Sequence, residues 1–198
     1  MITASQTTLA KLTGRQMNFY NKNAVTLATQ YNQLNPKTLH AAWLYALPSG
    51  PGKLLDIGAG SGRDALWFAE KGWQVTAIEP CSAFIEMIPE HDNIEIIRDS
   101  LPDLAATPSD VYQLILVSAV WMHLTPLQQA AALTVIKPRM DADTLLIITW
   151  RNDTEDNQRE FYPVNTKLFG SAEIQSTSDQ MGRQEVQWHC AVIKKENL

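Results

Sequence analysis

The residues best suited to chemistry lie in one glycine-rich segment and in one acidic residue that follows it. Behind a short apolar run, Gly58, Gly60 and Gly62 alternate with small residues before a helical pattern begins. Glycines here permit a sharp turn and close approach of a ligand, and the N–H groups of a helix start attract anions. Asp56 precedes the first glycine by two positions, and Glu79 follows the last by seventeen. An acid at that distance typically binds both hydroxyls of a ribose, so the segment predicts a nucleotide site.

The charge of Asp56 discriminates between two classes of nucleotide cofactor. A carboxylate repels the pyrophosphate of a dinucleotide and attracts the ammonium of an amino-acid group. The third glycine also comes one residue earlier than in the usual dinucleotide pattern. The residues therefore favour S-adenosylmethionine over NAD, and an NAD-dependent dehydrogenase is the alternative.

The stretch Leu54-Leu55-Asp56-Ile57-Gly58-Ala59-Gly60-Ser61-Gly62-Arg63-Asp64 resembles motif I of the class I S-adenosylmethionine-dependent methyltransferases. Glu79-Pro80 is similar to the acidic motif II of that family, and the resemblance covers roughly residues 20–194. It implies an enzyme that uses S-adenosylmethionine and releases S-adenosylhomocysteine. It also implies a doubly wound α/β fold whose seven-stranded, mostly parallel sheet has the order 3-2-1-4-5-7-6, with strand 7 antiparallel.

The resemblance implies roles for individual residues around the cofactor. Asp56 and the glycines would surround the methionine part, Glu79 would hold the ribose, and Asp99 would accept from the adenine amine. A turn acid is the alternative for Asp99. The cofactor set expected in this way is Asp56, Gly58, Ala59, Gly60, Arg63, Asp64, Glu79, Pro80, Asp99, Ser100, Leu101, Ser118 and Trp121.

Two residues are candidates for the catalytic step. His123 follows the fourth strand pattern, where a neutral imidazole is able to serve as a general base, and the alternative is a histidine that caps the loop. The start Phe19-Tyr20-Asn21 resembles the lid of small-molecule methyltransferases, which implies that Tyr20 lies near the sulfonium. Packing within the lid helix is the alternative for Tyr20.

Three further residues are candidates for binding the acceptor. Arg151 follows the fifth strand pattern and Arg183 lies in the last turn, and either guanidinium suits a carboxylate or phosphate. Trp150 is a candidate wall of the acceptor site, although core packing also explains it, as it does Trp188. No spacing of ligands indicates a metal site.

Elements that position these residues are visible as alternating short apolar runs and helical patterns from Lys53 onward. This alternation predicts a parallel sheet with helices on both faces, followed by an antiparallel hairpin over 174–177 and 186–193. Residues 1–52 are expected to form a helical N-terminal lid of the same domain, and residues 53–198 the methyltransferase domain. In the lid, Asn35 should cap a second helix whose apolar face is Leu39, Ala42, Trp43 and Ala46. Residues 164–172 leave room for little more than two helical turns, and 153–160 is interpreted as a solvated loop.

Composition narrows the class of partner. The 198 residues carry a net charge of −5, but the first 55 contain five Lys and Arg and no acid. The negative net charge favours a small-molecule acceptor, methylated on O, N or S, over nucleic acid. The sequence also lacks the (N/D)PP(Y/F) tetrapeptide that is typical of methyltransferases acting on bases or on glutamine, which favours the same class of acceptor. Because the first 55 residues contain no Asp or Glu, a methyltransferase for RNA or another macromolecule is one alternative. Because no residue is an unambiguous general base, a non-catalytic regulator that binds the cofactor is another. We expect a cytoplasmic monomer or homodimer without membrane contact.

Overall fold

A computed structural model describes residues 4–152 and 159–198. Its seven strands are β1 (Lys53–Ile57), β2 (Gln74–Ile78), β3 (Ile94–Ile97), β4 (Leu114–Ser118), β5 (Leu145–Arg151), β6 (Glu173–Ser178) and β7 (Gln187–Lys194). They form one sheet of order β3-β2-β1-β4-β5-β7-β6. The first five strands pair in parallel, and β7 runs antiparallel to both β5 and β6. The predicted topology and terminal hairpin are confirmed.

The helices are short except for the first. They are α1 (Ala4–Asn32), α2 (Pro36–Leu39), α3 (Arg63–Ala69), α4 (Ser82–Ile85) and α5 (Pro126–Ile136). At the start of α5, the Thr125 side chain accepts from the Gln128 N–H while the Gln128 side chain accepts from the Thr125 N–H. This capping box, with Pro126 in the first turn, explains why the helix begins there. Among the described residues, no helix has the length and apolarity needed to span a bilayer.

Two cores cover the two faces of the sheet, because successive residues of a buried strand point to opposite sides. On one face Leu55 and Ile57 of β1 pack with Ile136 of α5. On the other face Leu54 packs with Phe68 of α3. The central strands are therefore apolar on both sides, as a parallel sheet between two helical layers requires.

The N-terminal segment differs from its prediction in one respect. α1 packs against α4, where Ala24 and Ala28 meet Phe84. The Asn35 side chain caps α2 as expected, accepting from the Lys37 N–H at 2.9 Å. The predicted long second helix is wrong: α2 ends at Leu39, and a single 3₁₀ turn, Leu44–Ala46, follows. The chain leaves the helical path at this point because both His40 and Trp43 turn inward and are buried.

The connection between β5 and β6 contains no full helix among its described residues, as its length predicted. Its only regular element there is a 3₁₀ turn, Thr166–Phe169. Phe169 is fully buried and packs against the rings of Trp121 and Trp150 at 5.8 and 5.7 Å. This aromatic cluster fills the space beside the sheet where a helix would otherwise pack.

Candidate active site

One cavity of about 350 Å³ opens at the carboxyl ends of β1, β2 and β4. Parallel sheets bind ligands at this edge, where the strand order reverses next to the first strand. Residues of α1 and of the turn between β6 and β7 complete the walls. Those that matter below are Gln16, Tyr20, Tyr31, His40, Asp56, Gly58, Ala59, Gly60, Arg63, Asp64, Glu79, Pro80, Asp99, Ser100, Leu101, Ser118, His123, Arg151, Arg159, Glu160, Asp179, Arg183 and Trp188.

The glycine turn lines the floor of the cavity with backbone. Gly58, Gly60 and Gly62 have φ of 78°, 56° and 82°, which side-chain-bearing residues rarely adopt. The N–H groups of Gly58 and Ala59 donate to the Ile78 carbonyl at 2.8 and 3.0 Å, and so fix the turn to β2. A Cβ placed on Gly60 would meet no atom within 4 Å. The backbone at Gly60 therefore faces open space and leaves room for a ligand.

Asp56 is a buried carboxylate that fits a cationic group. Its side chain is 2% exposed, and Oδ2 has no hydrogen-bond partner among the described residues. Burial raises the pKa of Asp56, and the neighbouring Asp64 and Glu79 carboxylates raise it further. A buried acceptor without a partner is costly, so a cation in the cavity would be bound favourably. The ammonium of S-adenosylmethionine has the required charge and donor groups.

Glu79 is held in place by the backbone of two loops. Its Oε2 accepts from the Gly60 N–H and its Oε1 from the Cys81 N–H, each at 2.8 Å. Burial raises the pKa of Glu79, and these two hydrogen bonds partly oppose that shift. Each carboxylate oxygen is able to accept one more hydrogen bond, which suits the two hydroxyls of a ribose.

Arg63 and Asp64 line the cavity and also bind each other and the N-terminal segment. The Arg63 guanidinium donates to both oxygens of Asp64, at 2.9 and 2.7 Å. Another nitrogen of Arg63 donates to the Tyr31 carbonyl at 3.2 Å. The buried His40 Nε2 lies 2.9 Å from Asp64 Oδ1. The pair therefore joins the end of α1 and the residue after α2 to the start of α3.

The Asp99 carboxylate lines the cavity and is held by its own loop. Oδ1 accepts from the Ser100 N–H, and Oδ2 accepts from the N–H groups of Ala106 and Thr107 and from the Thr107 hydroxyl, all within 2.9 Å. These hydrogen bonds lower the pKa of Asp99 against the effect of burial. Asp99 thus makes the contacts of a turn acid, and its contact with an adenine amine stays a prediction.

Two tryptophans that were predicted at the site belong to the core. Trp121 is fully buried and Trp150 is 6% exposed, and neither lines the cavity. Trp121 begins the 3₁₀ turn Trp121–His123 that follows β4, and its ring packs against the buried Phe169 ring at 5.8 Å. Trp188, by contrast, lines the cavity, and its Nε1 donates to Asp179 at 2.8 Å.

Tyr20 and His123 meet across the cavity wall. The Tyr20 hydroxyl lies 2.8 Å from His123 Nε2, and the rings are nearly perpendicular, at 83°. His123 Nδ1 lies 3.0 Å from the Glu160 carbonyl oxygen. Tyr20 thus joins α1 to the turn that follows β4, and His123 is hydrogen-bonded on both ring nitrogens.

Several arginines act on Tyr31 in the wall of the cavity. Burial raises the pKa of Tyr31, and the guanidinium groups of Arg159, Arg151, Arg183 and Arg63 oppose that shift, in that order. Arg151 stacks over the Phe161 ring at 4.4 Å, and Arg183 donates to both oxygens of Asp179 at 3.1 and 2.6 Å. Arg151 and Arg183 line the cavity, as predicted.

Arg159, Glu160 and Gln16 line the cavity although sequence reasoning missed them. The first two lie in the segment interpreted as a solvated loop, of which residues 153–158 fall outside the described part. Gln16 lies on α1, four residues before Tyr20 and thus on the same helix face, which is the one signal that could have indicated it. No group of three or more metal-ligating side chains occurs among the described residues.

The sheet order, the glycine turn and the two carboxylates at the edge of the sheet define a class I S-adenosylmethionine-dependent methyltransferase. The family of the tellurite resistance protein TehB has a model that matches residues 12–158, and the chain belongs to this family. No curated protein matches the chain.

Solved structures with the same fold share little sequence with this chain. The 1,6-didemethyltoxoflavin-N1-methyltransferase of Burkholderia thailandensis, solved with 1,6-didemethyltoxoflavin and S-adenosylhomocysteine, is 15% identical with a TM-score of 0.70, over 93% of this chain and 90% of that one. TehB from Haemophilus influenzae is 18% identical with a TM-score of 0.57, over 81% of this chain and 62% of that one. DhpI in complex with S-adenosylhomocysteine is 16% identical with a TM-score of 0.57, over 92% and 97%. At these identities the likeness establishes the fold.

Proposed function

We propose that this protein transfers the methyl group of S-adenosylmethionine to a nucleophilic atom of a small acceptor that carries an anionic group. The observation that carries the proposal is that the guanidinium groups of Arg151, Arg159 and Arg183 line the same cavity as the glycine turn. When bound, S-adenosylmethionine supplies an electrophilic methyl group. The chain's own residues bind and orient the two reactants and exclude water.

The cavity offers groups of both charges. At the glycine turn, Asp56 and Glu79 are carboxylates with capacity for further hydrogen bonds, which suits an ammonium and a ribose. In the wall of the same cavity, the guanidiniums of Arg151, Arg159 and Arg183 offer planar, charged donors of the kind that bind carboxylate or oxyanion groups. A cationic cofactor and an anionic acceptor would thereby each meet groups of opposite charge.

The remaining cofactor contacts are assigned to residues that line the cavity near Glu79. We assign the methionine part to Gly58, Ala59 and Gly60, since all three line the cavity and the backbone at Gly60 faces open space. Contacts to the nucleoside are assigned to Pro80, Ser100, Leu101 and Ser118, which line the same cavity. Arg63 and Asp64 are assigned a positioning role, because they hold the N-terminal segment against the turn.

Enclosure of the cavity favours a small acceptor over a macromolecule. We assign residues 1–52 as a lid, since α1 and the residues after it wall one side of the cavity. The Gln180 side chain in the β6–β7 turn donates to the Thr38 carbonyl at 3.0 Å, which joins the opposite wall to this lid. The relatives point the same way: the family is that of a tellurite resistance protein, and one similar structure contains bound 1,6-didemethyltoxoflavin.

The experiment is methyl transfer from radiolabelled S-adenosylmethionine to a panel of tellurite, selenite, hydroxybenzoates and small amino and thiol acids. We expect turnover of at least one anion. Arg151→Gln should raise the KM for that anion about 10- to 150-fold, because one charge-assisted hydrogen bond is lost. Arg98→Gln, an exposed arginine outside the cavity, is the matched control and should leave KM unchanged.

Other functions predict different results in the same assays. A macromolecular methyltransferase would methylate RNA or protein in preference to the panel, with strong salt dependence for RNA. A non-catalytic regulator would bind S-adenosylhomocysteine without turnover of any acceptor. An unchanged KM for the turned-over anion in Arg151→Gln would refute the anionic acceptor site.

A further inference from the structure

The direction of the hydrogen bond between Tyr20 and His123 depends on the tautomer of the imidazole. His123 Nδ1 lies 3.0 Å from the Glu160 carbonyl oxygen, which only accepts, and 3.1 Å from Gln16 Nε2, which only donates. Gln16 Nε2 already donates to the same carbonyl at 2.8 Å, whereas an Nδ1 lone pair would face the carbonyl oxygen without a hydrogen between them. We therefore assign the hydrogen to Nδ1, and in this tautomer the Tyr20 hydroxyl donates to Nε2 at 2.8 Å.

This arrangement accepts a proton without rearranging. A protonated His123 would donate from Nδ1 to Glu160 and from Nε2 to the Tyr20 oxygen, so both N–H groups keep acceptors. Tyr20 and His123 both line the cavity, so the Tyr20 oxygen can meet an acceptor while its proton faces the imidazole. His123 Nε2 itself is covered by the Tyr20 hydroxyl. The geometry therefore favours transfer of the acceptor's proton through the Tyr20 hydroxyl over its direct transfer to His123 Nε2.

The charges around Tyr20 explain why the tyrosine needs a partner. Burial raises its pKa, and Tyr31 and Glu79 add to the shift, whereas the Arg159 guanidinium opposes it. A tyrosinate standing alone in this environment is disfavoured. Tyr20 is thus able to take up a proton only as it passes its own to His123.

We propose that Tyr20 takes the proton of the methyl acceptor and that His123 stores it, with Gln16 and the Glu160 carbonyl positioning the imidazole. This inference rests on the proposed function and specifies it further: the methylated atom carries a proton, as in a hydroxyl, amine or thiol. As the acceptor proton moves to the Tyr20 oxygen, the Tyr20 proton moves to His123 Nε2. The electron pair of the broken bond stays on the acceptor atom, and the positive charge moves to the imidazole.

The first test needs neither cofactor nor acceptor. We expect ¹⁵N NMR of histidine-labelled protein, with His123 assigned through His123→Gln, to give an Nδ1–H tautomer with Nε2 as hydrogen-bond acceptor. Tyr20→Phe should shift the Nε2 resonance, because the hydrogen bond to Nε2 is lost. Tyr45→Phe, which removes an exposed hydroxyl outside the cavity, should leave the resonance unchanged. An Nε2–H tautomer, or no response to Tyr20→Phe, overturns the proposal.

The second test uses 4-hydroxybenzoate as an acceptor that must lose a proton. If the wild type methylates it, Tyr20→Phe should lower kcat by about 10²- to 10⁴-fold with the Kd of S-adenosylhomocysteine unchanged. The residual rate should rise with pH as the phenol ionises by itself, whereas a merely structural role would lower the rate equally at every pH. Equal loss at every pH overturns the relay. Failure of the proposed function is distinct, since it would leave wild type without turnover while the NMR result stands.

Discussion

Replacement of Asp56 by Asn separates cofactor binding from stability, because the two should change in opposite directions. The substitution keeps the shape of the side chain and removes its charge. The buried carboxylate, with an oxygen that has no partner among the described residues, is the group assigned to the cofactor ammonium. A hydrogen bond to a charged group contributes about 1.5–3 kcal/mol, so the Kd for S-adenosylhomocysteine should rise about 10- to 150-fold. Isothermal titration calorimetry measures this change directly.

Stability of the free protein should increase in the same variant. Because burial and two neighbouring carboxylates raise the pKa of Asp56 in the folded chain, its ionisation destabilises the fold. The loss of stability caused by ionised Asp56 is absent below the unfolded-state pKa, about 4, and reaches its full value above the folded-state pKa. Asp56→Asn should therefore raise Tm at neutral pH, and the difference should vanish near about pH 4.

Proton release supplies an independent measure of the same interaction. The ammonium should lower the raised pKa of Asp56, so binding releases protons between the pKa of the complex and that of the free protein. The affinity for S-adenosylhomocysteine should rise with pH across that window. Calorimetric titration in two buffers of different ionisation enthalpy measures the released protons, and Asp56→Asn should release none of them. Asp110→Asn, an exposed aspartate paired with Lys53, is the matched control. Unchanged affinity in Asp56→Asn, or a fall in Tm together with affinity, would refute the reasoning.

Three further substitutions test the site and the corrected assignments. Asp64→Asn breaks a buried ion pair and should lower the free energy of unfolding by about 3 kcal/mol in urea denaturation at neutral pH. The pKa of Asp64 is lowered in the folded chain, so its carboxylate stabilises the fold at neutral pH. The difference between wild type and variant should therefore shrink in acid, as Asp64 becomes protonated. Both glycines have positive φ, which strains an alanine, but a Cβ on Gly58 would also lie 2.3 Å from a Val120 methyl, so Gly58→Ala should lower Tm more than Gly60→Ala does. Gly60→Ala meets no atom, and its larger effect should be weaker binding of S-adenosylhomocysteine. Equal effects of the two glycine variants on Tm would contradict this assignment. Trp121→Phe should lower Tm without changing the affinity for S-adenosylhomocysteine, because Trp121 lies in the core. A weaker affinity in this variant would indicate that Trp121 contributes to cofactor binding.

Local sequence patterns predicted the fold well because most of its elements are specified by neighbouring residues. β4 and β5 each begin with a continuous run of four apolar residues, as burial on both faces requires. Thr125 and Pro126 specify the start of α5 within one turn of chain. The failure came at the long second helix of the lid. His40 ends that helix because it contacts Asp64, which is distant along the chain.

By itself, the sequence determined the sheet, the glycine turn and the two carboxylates beside it, since strand, turn and acid are adjacent along the chain. Only the tertiary structure decided which side chains share the cavity. It placed Trp121 and Trp150 in the core, closed Asp99 onto its own loop, and brought Gln16 and Glu160 to His123. These outcomes depend on contacts between residues more than one hundred positions apart or on which way a side chain turns at a strand end. Neither is encoded by local periodicity, because each results from packing of the whole chain.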